Sequence, residues 1–353
     1  MTTQRQRLTP TAEPNGRRVT ILDVATRAGV SPSAVSKVVR NAYGVSPAMR
    51  SRVRAAIDDL GYRPHAGARA MRGRSYSIGV VVTDVGSPFQ IDVAHRIAVG
   101  LESTPYQESI TSGGTSAAQY RSRIDALVDR QVDGLVLVAP WIDPAEVAEI
   151  AATVPVVTVA LHGTTTDFDM VVDDEELGAR LVVNHLVELG HRRITLTSMP
   201  SLDWEEGFRL SHTARRDGFE RAVRAHGLEP DVMDAWYSED AGYAATLAAL
   251  DRPQPPTAIF AGADIAALGA LRAADERGVH VPDDLTIVGY DNIFAASIPR
   301  VSLTTVDASG AVTGDAALRL LLERIEGREQ SVQYVVAPQL VVRGTSGPAP
   351  ASR

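Results

Sequence analysis

The stretch VTILDVATRAGVSPSAVSKVV, residues 19–39, decides the fold of the N-terminal part of this 353-residue chain. Thr20 is a residue type that caps helix starts, and Gly29 is typical of a helix end. Ser31 and Pro32 form a second start signal, because a capping residue precedes a proline suited to the first helical position. Two short helices joined by a glycine turn are therefore predicted, which is the arrangement of a helix-turn-helix.

The second helix, expected over residues 32–40, has one apolar face and one polar face. Helical spacing of its valines predicts that the opposite face exposes Ser33, Ser36, Lys37 and Arg40. Small polar and basic side chains on a short helix suit the base edges of the major groove. We therefore predict that Ser33, Ser36 and Lys37 contact bases.

Charge is distributed unevenly along the chain. Residues 1–74 hold 14 basic and 4 acidic residues, a net charge of +10, which leaves −18 on the remainder of a chain whose total is −8. A small basic head on a large acidic body predicts that only the head meets a polyanion such as DNA. On charge alone, a disordered basic tail is the alternative.

The composition and motifs exclude several classes of protein. Cysteine is absent, so disulfides, thiolate metal sites and a cysteine nucleophile are excluded. No apolar run approaches the ~20 residues of a membrane helix, and the polar N-terminus has no secretory signal, so we expect a cytoplasmic protein without membrane contact. No phosphate-loop, dinucleotide, nucleophile-elbow or zinc-protease motif occurs, so we expect no enzyme, cofactor or metal. His185 and His191 are six residues apart, which favours structural roles over metal binding.

Beyond the basic head, short apolar runs alternate with amphipathic helical segments. Predicted strands begin with residues 78–83, and residues 170–172 are expected to open a second series. Strands alternating with helices predict parallel sheets, and two series predict two lobes with a cleft at the carboxyl ends of the strands. Residues 303–306 are expected to cross between the lobes before a helix over residues 308–326 returns to the first lobe.

The run at residues 19–39 strongly resembles the DNA-binding head of the LacI/GalR family of bacterial transcription regulators. The later run LGYRPHAGARAM, residues 60–71, resembles the hinge of that family. The body adds further matches, including HLVELGHRRI at residues 185–194 and VGYD at residues 288–291. The resemblance covers residues 19–344. It implies an N-terminal all-α helix-turn-helix head plus hinge, followed by a C-terminal α/β two-lobed domain like a periplasmic binding protein, with parallel sheets.

The pattern and the resemblance together divide the chain into five segments. These are a disordered tail (1–18), the helix-turn-helix domain (19–62), the hinge (63–75), a two-lobed effector-binding and dimerisation domain (76–344), and a disordered tail (345–353). The resemblance implies a repressor that acts as a homodimer on double-stranded operator DNA. It also implies that a small polar effector, a sugar or a sugar derivative, binds between the lobes and changes operator affinity. The alternative is a solute-binding protein for uptake, against which the basic head and the missing signal peptide both argue.

Candidate DNA contacts lie in the head and in the hinge. They are Thr20, Ser31, Pro32, Ser33, Ser36, Lys37, Arg40, Ala68 and Met71. Met71 stands where leucine is usual in the family, and it remains an apolar side chain that can act as a wedge in the minor groove.

Candidate effector contacts lie in the body. The resemblance assigns Phe89, Gln90, Arg215 and Tyr237 to them, and the position of Asp291 after a strand of a parallel sheet adds that residue. Arg215 is expected at the start of a helix and Asp291 just after a strand, so that a guanidinium and a carboxylate face each other across the cleft. Such a pair suits hydroxyl-rich ligands, because both groups form charge-assisted hydrogen bonds. The alternatives are a surface charge for Arg215 and ordinary edge packing for Tyr237. The family often has Asn-Asp where this chain has Ala-Asp at residues 263–264, which removes one polar contact.

Overall fold

The computed structural model describes residues 19–39, 43–62, 74–114, 116–201 and 207–351. The chain divides after Arg74 into a small helical unit and a large α/β unit, and each is described by itself. The disordered tail predicted at residues 1–18, most of the predicted hinge, and the candidate DNA contacts Arg40, Ala68 and Met71 lie outside the described residues.

The described helical unit consists of α1 (Ile21–Ala28), α2 (Pro32–Val39) and α3 (Pro47–Leu60). Its core is built from small apolar side chains, including Val24, Val35 and Val53, one from each helix. Valine and alanine leave little space between helices, so three short helices can bury a shared core despite their size. The helix-turn-helix predicted from residues 19–39 is confirmed.

Side-chain caps and left-handed glycines fix the ends of these helices. The Asp23 N–H donates to the Thr20 hydroxyl oxygen at 3.4 Å, and the Thr20 N–H donates to the Asp23 carboxylate at 2.7 Å, which closes a capping box at the start of α1. Gly29 ends α1 with a φ of 65° and Gly61 ends α3 with a φ of 59°. A left-handed backbone favours glycine because a Cβ is strained there, so the helix end predicted at Gly29 is confirmed, and Gly61 ends α3 in the same way.

The large unit is built from strands and helices that alternate along most of its length. Its strands are β1 (Ser77–Val82), β2 (Gln107–Ser112), β3 (Gly134–Val138), β4 (Val156–Val159), β5 (Leu161–His162), β6 (Asp169–Asp173), β7 (Ile194–Ser198), β8 (Arg209–Leu210), β9 (Asp231–Asp234), β10 (Ala258–Ala261), β11 (Thr286–Tyr290), β12 (Thr304–Asp307), β13 (Gln333–Val336) and β14 (Gln339–Val341). Its α-helices are α4 (Pro88–Leu101), α5 (Ala117–Val128), α6 (Pro144–Ala151), α7 (Glu175–Glu188), α8 (Ser211–Ala225), α9 (Glu239–Leu250), α10 (Asp264–Glu276) and α11 (Gly310–Ile325).

Two sheets form the centres of two lobes. The first has the order β13-β6-β4-β3-β1-β2 with every pair parallel, and the second has the order β14-β12-β11-β10-β7-β9 with only β14 antiparallel. Helices cover both faces of each sheet. In the first lobe, α4 and α11 cover one face and α5 and α6 cover the other. In the second lobe, α7 and α8 cover one face and α9 and α10 cover the other. The two-lobed α/β fold with parallel sheets is confirmed. Across the described ranges, no helix combines the length and apolar character that crossing a bilayer demands.

The prediction that residues 170–172 open the second series is wrong. This segment lies in β6, which pairs with β4 and β13 inside the first sheet. Met170 and Val172 face one core of the first lobe and Val171 faces the other, so both faces of the strand are buried there. A short apolar run carries no information about which sheet it joins, and this explains the misassignment.

The predicted helix that returns to the first lobe is confirmed, but residues 303–306 do not themselves cross, because residues 304–307 form β12 and the chain crosses after it. β12 belongs to the second sheet, and the helix that follows it, α11, packs on α4 of the first lobe. Gly314 permits this close packing, since a Cβ there would lie 2.7 Å from the Cβ of Arg96. The chain then adds β13 to the first sheet and crosses once more to add β14 to the second. These two strands were not predicted because they are only 4 and 3 residues long.

The prediction that the C-terminal tail is disordered is wrong for residues 345–351. Thr345 is 4% exposed, and its hydroxyl donates to the carbonyl of Ile287 at 2.7 Å. His185 bonds the hydroxyl of Ser346 at 2.9 Å, and Nε2 of His191 donates to the carbonyl of Gly347 at 3.1 Å. Both histidines therefore have structural partners, as predicted. The tail is ordered by hydrogen bonds rather than by large apolar groups, so hydropathy gave no sign of it.

Candidate functional site

The first candidate site is the exposed face of α2. Ser31, Pro32, Ser33 and Lys37 are all exposed. The Ser31 hydroxyl accepts a hydrogen bond from the N–H of Ala34 at 3.2 Å, so this side chain also caps the helix. Thr20 is half-buried and its hydroxyl is engaged in the capping box of α1. The face available to a nucleic acid is therefore centred on Ser33 and Lys37.

The prediction that Ser36 points outward is wrong, because this side chain is only 6% exposed. At about 100° per residue, Ser36 lies roughly 60° from Val39, at the edge of the apolar stripe. Ser33 and Lys37 lie about 40° from each other on the far side of the helix. Polarity alone placed Ser36 on the outer face, whereas the angular position places it beside the core.

The second candidate site is a cavity of about 570 Å³ between the two lobes of the large unit. Residues that follow the carboxyl ends of strands line it, as expected for parallel sheets. All of the candidate effector contacts line this cavity, namely Phe89, Gln90, Arg215, Tyr237 and Asp291. A volume of this size accommodates a small ligand.

The first lobe contributes the start of α4 to the cavity. Phe89 packs against the apolar cores of both lobes, so it lies where they meet. The side-chain oxygen of Gln90 accepts from the N–H groups of Thr83 at 2.8 Å and Asp84 at 3.3 Å. Gln90 therefore holds the loop after β1 in place at the edge of the cavity.

Arg215 is the most heavily bonded side chain of the cavity. The helix that carries it, α8, begins at Ser211, so Arg215 lies in the second turn and not at the start. It is 5% exposed, and Nε and Nη2 donate to the carboxylate of Glu175 at 2.8 and 3.0 Å. Nη1 donates to the carbonyl of Gly262, and the guanidinium carbon lies 3.4 Å from the centre of the Tyr290 ring. The alternative of a surface charge is therefore excluded.

The prediction that Arg215 and Asp291 face each other across the cleft is wrong. Arg215 lies on α8 and Asp291 follows β11, and both elements belong to the second lobe. Burial raises the pKa of Asp291 well above its usual value, and the charge of Arg215 opposes this rise. Asp291 has a φ of 110°, and its N–H donates to the carbonyl of Val306 at 2.9 Å. Spacing along the sequence could not tell which lobe would carry each side chain.

Aromatic residues form the walls of the cavity. The Tyr237 hydroxyl is 3.3 Å from that of Ser198, and the His212 ring meets the Tyr237 ring edge-on at 6.5 Å. Sequence analysis missed Trp141 and Trp236, whose ring centres are 5.5 Å apart. Trp141 follows β3 of the first lobe and Trp236 follows β9 of the second, so this pair spans the cleft. Their positions after strand ends were the signal that could have identified them.

Two ionisable lining residues were also missed. Asp173 ends β6 and is 8% exposed, and its Oδ1 has no hydrogen-bond partner among the described residues. Burial raises its pKa well above the usual value, and the nearby carboxylates of Glu175 and Asp307 add to the rise. Burial lowers the pKa of His212 to about 4, so this ring is neutral at pH 7, and its Nε2 donates to the carbonyl of Pro200 at 3.1 Å.

Asp264 supports the floor of the cavity from below. Its carboxylate accepts from the Thr305 hydroxyl at 2.6 Å and from the N–H of Ile293 at 2.9 Å, which fixes the loop that carries Asp291. Burial raises the pKa of Asp264 to about 7, against the effect of these hydrogen bonds. Ala263 lines the cavity beside it without a polar side-chain group. Within the described part of the chain, no group of three His, Asp or Glu side chains is arranged to hold a metal ion.

Comparisons with known proteins match both parts of the chain. The model of the lacI family of bacterial regulatory proteins matches residues 20–65, and that of a periplasmic binding protein-like domain matches residues 183–346. Catabolite control protein A of Priestia megaterium is 33% identical over 92% of this chain and 97% of its own length. The lac repressor dimer bound to operator and the anti-inducer ONPF aligns with a TM-score of 0.79 at 26% identity, over 94% of this chain and 100% of its own. The complex of the transcriptional regulator CelR with cellobiose aligns with a TM-score of 0.66 at 28% identity, over 93% and 100%.

Proposed function

Because this chain belongs to the lacI family of bacterial regulatory proteins, we propose specific roles for its residues in DNA binding and effector control. The protein is a DNA-binding transcriptional regulator with an effector-binding domain. Ser33 and Lys37 read base edges in the major groove, because they form the exposed polar face of α2. Ser31 and Pro32, at the start of the same helix, lie beside the DNA backbone.

A small polar effector occupies the cavity between the lobes, and we take a sugar or sugar derivative as its class. The observation that carries this proposal is that Phe89, Gln90, Arg215, Tyr237 and Asp291 converge on one cavity from separate parts of the chain. Aromatic walls pack against the face of a sugar ring, and buried carboxylates accept from its hydroxyl groups. The related CelR structure contains cellobiose, which is consistent with this class.

Effector binding changes operator affinity through the hinge at residues 63–75. A segment this short is not a stable helix by itself, so its folding must draw on DNA, on a partner hinge and on the positions of the lobes. A homodimer supplies the partner hinge and reads a near-palindromic site. The related lac repressor is a dimer on its operator. The protein acts as a repressor that its effector induces, and Met71 enters the minor groove at the centre of the site.

The test is selection of binding sites from random double-stranded DNA with the full chain, followed by fluorescence anisotropy on the selected site. We expect a near-palindrome bound by two copies. With ~6–10 phosphate contacts, affinity should fall roughly 10³–10⁵-fold between 50 and 200 mM salt, because bound counterions are released. A single half-site bound by one copy, or a flat salt dependence, would contradict the proposal.

A further inference from the structure

The charge of the effector can be inferred from the balance of charges around the cavity, and this inference rests on the proposed function. Among the described residues that line it, the carboxyl groups are those of Asp84, Asp173 and Asp291, and the guanidinium is that of Arg215. Glu175 holds that guanidinium through two hydrogen bonds, so Arg215 forms a neutral pair with its own partner. Among the described lining residues, no further cationic side chain is therefore available to pair with Asp84, Asp173 and Asp291.

Asp173 is the group that most needs a ligand. It is more than nine-tenths buried, it lines the cavity, and its Oδ1 has no partner among the described residues. A buried carboxyl oxygen without a partner is costly, and a native site that keeps one usually pairs it with a ligand, an ion or water. Asp173 and Asp291 line the same cavity. Burial raises the pKa of Asp291, and nearby carboxylates, that of Asp173 among them, add to the rise.

The other polar groups of the cavity do not change this balance. The His212 ring is neutral at pH 7 because burial lowers its pKa to about 4. The side-chain oxygen of Gln90 is already engaged by two backbone N–H groups. An anionic ligand would therefore meet two buried carboxyl groups and no free cation among the described residues, which is an unfavourable arrangement.

We propose that the effector carries a protonated amine, which binds to Asp173 and Asp291 on the floor of the cavity. The rest of the ligand carries hydroxyl groups and lies against Trp236 and Tyr237. Aromatic faces pack favourably against a sugar ring and also attract a nearby cation. The aromatic side chains and the two carboxyl groups therefore favour the same kind of ligand. The ligand class is thus a hydroxylated amine, such as an amino sugar.

The experiment compares two probes of nearly identical shape. Tris has three hydroxymethyl groups and an amine on one carbon and is a cation at neutral pH, whereas pentaerythritol has four hydroxymethyl groups and is neutral. Each is titrated into the full chain in phosphate buffer at matched ionic strength, with tryptophan fluorescence as the readout, because Trp141 and Trp236 line the cavity. We expect Tris to bind at least about tenfold more tightly, which corresponds to ~1.4 kcal/mol.

Two variants locate the effect. Asp173→Asn should reduce the preference for Tris to less than about twofold, because the amide removes the charge and leaves the shape. Asp84→Asn is the matched control, since Asp84 lines the same cavity but is exposed to solvent, and the preference should persist. Asp173→Asn should also leave the ligand-free protein at least as stable in thermal unfolding, because Oδ1 has no partner to lose.

Equal binding of the two probes, no binding of Tris, or an unchanged preference in Asp173→Asn would overturn the inference. A lower melting temperature of ligand-free Asp173→Asn would also overturn it, because the carboxylate would then have a structural role. The proposed function fails differently. If a neutral sugar releases the protein from its operator while Tris binds no more tightly than pentaerythritol, the proposed effector cavity is supported and the proposed amine is contradicted.

Discussion

Removal of the guanidinium of Arg215 is the sharpest test of how the cavity is held together. In the variant Arg215→Met, the buried carboxylate of Glu175 loses two charge-assisted hydrogen bonds and the carbonyl of Gly262 loses one. The aromatic face of Tyr290 also loses its cation. Breaking one side of a buried ion pair costs about 3–5 kcal/mol, because the remaining charge stays buried without compensation.

Urea unfolding followed by far-ultraviolet circular dichroism measures this cost as a fall in the free energy of unfolding. The double variant Arg215→Met with Glu175→Gln should recover much of the loss, because it removes the unpaired carboxylate. The control is Arg277→Met, since Arg277 pairs with Asp251 through two hydrogen bonds of 2.7 and 3.0 Å on the surface. It should leave the unfolding midpoint nearly unchanged, because solvent screens an exposed pair.

Two outcomes would refute this reasoning. The first is an Arg215→Met variant that is no less stable than Arg277→Met. The second is a double variant whose loss equals the sum of the two single losses, since this would mean that Arg215 and Glu175 do not interact.

Further predictions concern the head, the loop under the cavity and Gly262, which precedes the lining residue Ala263. Lys37→Ala should weaken operator binding relative to random DNA by ~1–3 kcal/mol, whereas Ser36→Ala should not change this ratio, and anisotropy on both DNAs checks each variant. The pKa of Asp264 is raised in the folded protein to about 7. The protonated carboxyl therefore contributes its full stabilisation below pH ~4, and this contribution is lost as the pH rises to ~7. The free energies of unfolding at pH 5 and pH 8 should differ less in Asp264→Asn than in the wild type. In Gly262→Ala the new Cβ would collide with the Tyr237 hydroxyl and lie close to a backbone carbonyl, so thermal unfolding should occur at a lower temperature, and an unchanged melting temperature would contradict this contact.

Local signals in the sequence predicted the helical head well, because each helix end has its own chemistry. Thr20, Gly29 and Gly61 fix their helix ends through short-range hydrogen bonds or a left-handed backbone. Alternation of strands and helices likewise predicted two parallel sheets. Sheet membership was less predictable, since β6 is a buried run that fits either sheet and joined the first.

The candidate effector site was predicted in part. A resemblance to a known family can name a residue such as Arg215, and a position after a strand can name Asp291, but neither shows which lobe carries each one or which partners they have. The burial of Asp173 and the contact between Trp141 and Trp236 depend on tertiary packing of distant segments. No spacing along the chain encodes such contacts, so only the folded structure reveals them.

The most direct test of the account is the coupling between cavity and operator. Glucosamine, galactosamine, glucose and cellobiose are titrated by calorimetry into the wild type and Asp291→Ala, each with and without the selected operator. We predict that at least one of these ligands changes operator affinity of the wild type by about 5- to 150-fold, and that operator changes the affinity for that ligand by the same factor. In Asp291→Ala, operator binding without ligand should be unchanged and the response to ligand should be lost. Ligand binding that operator does not affect, or a full response in Asp291→Ala, would contradict the account.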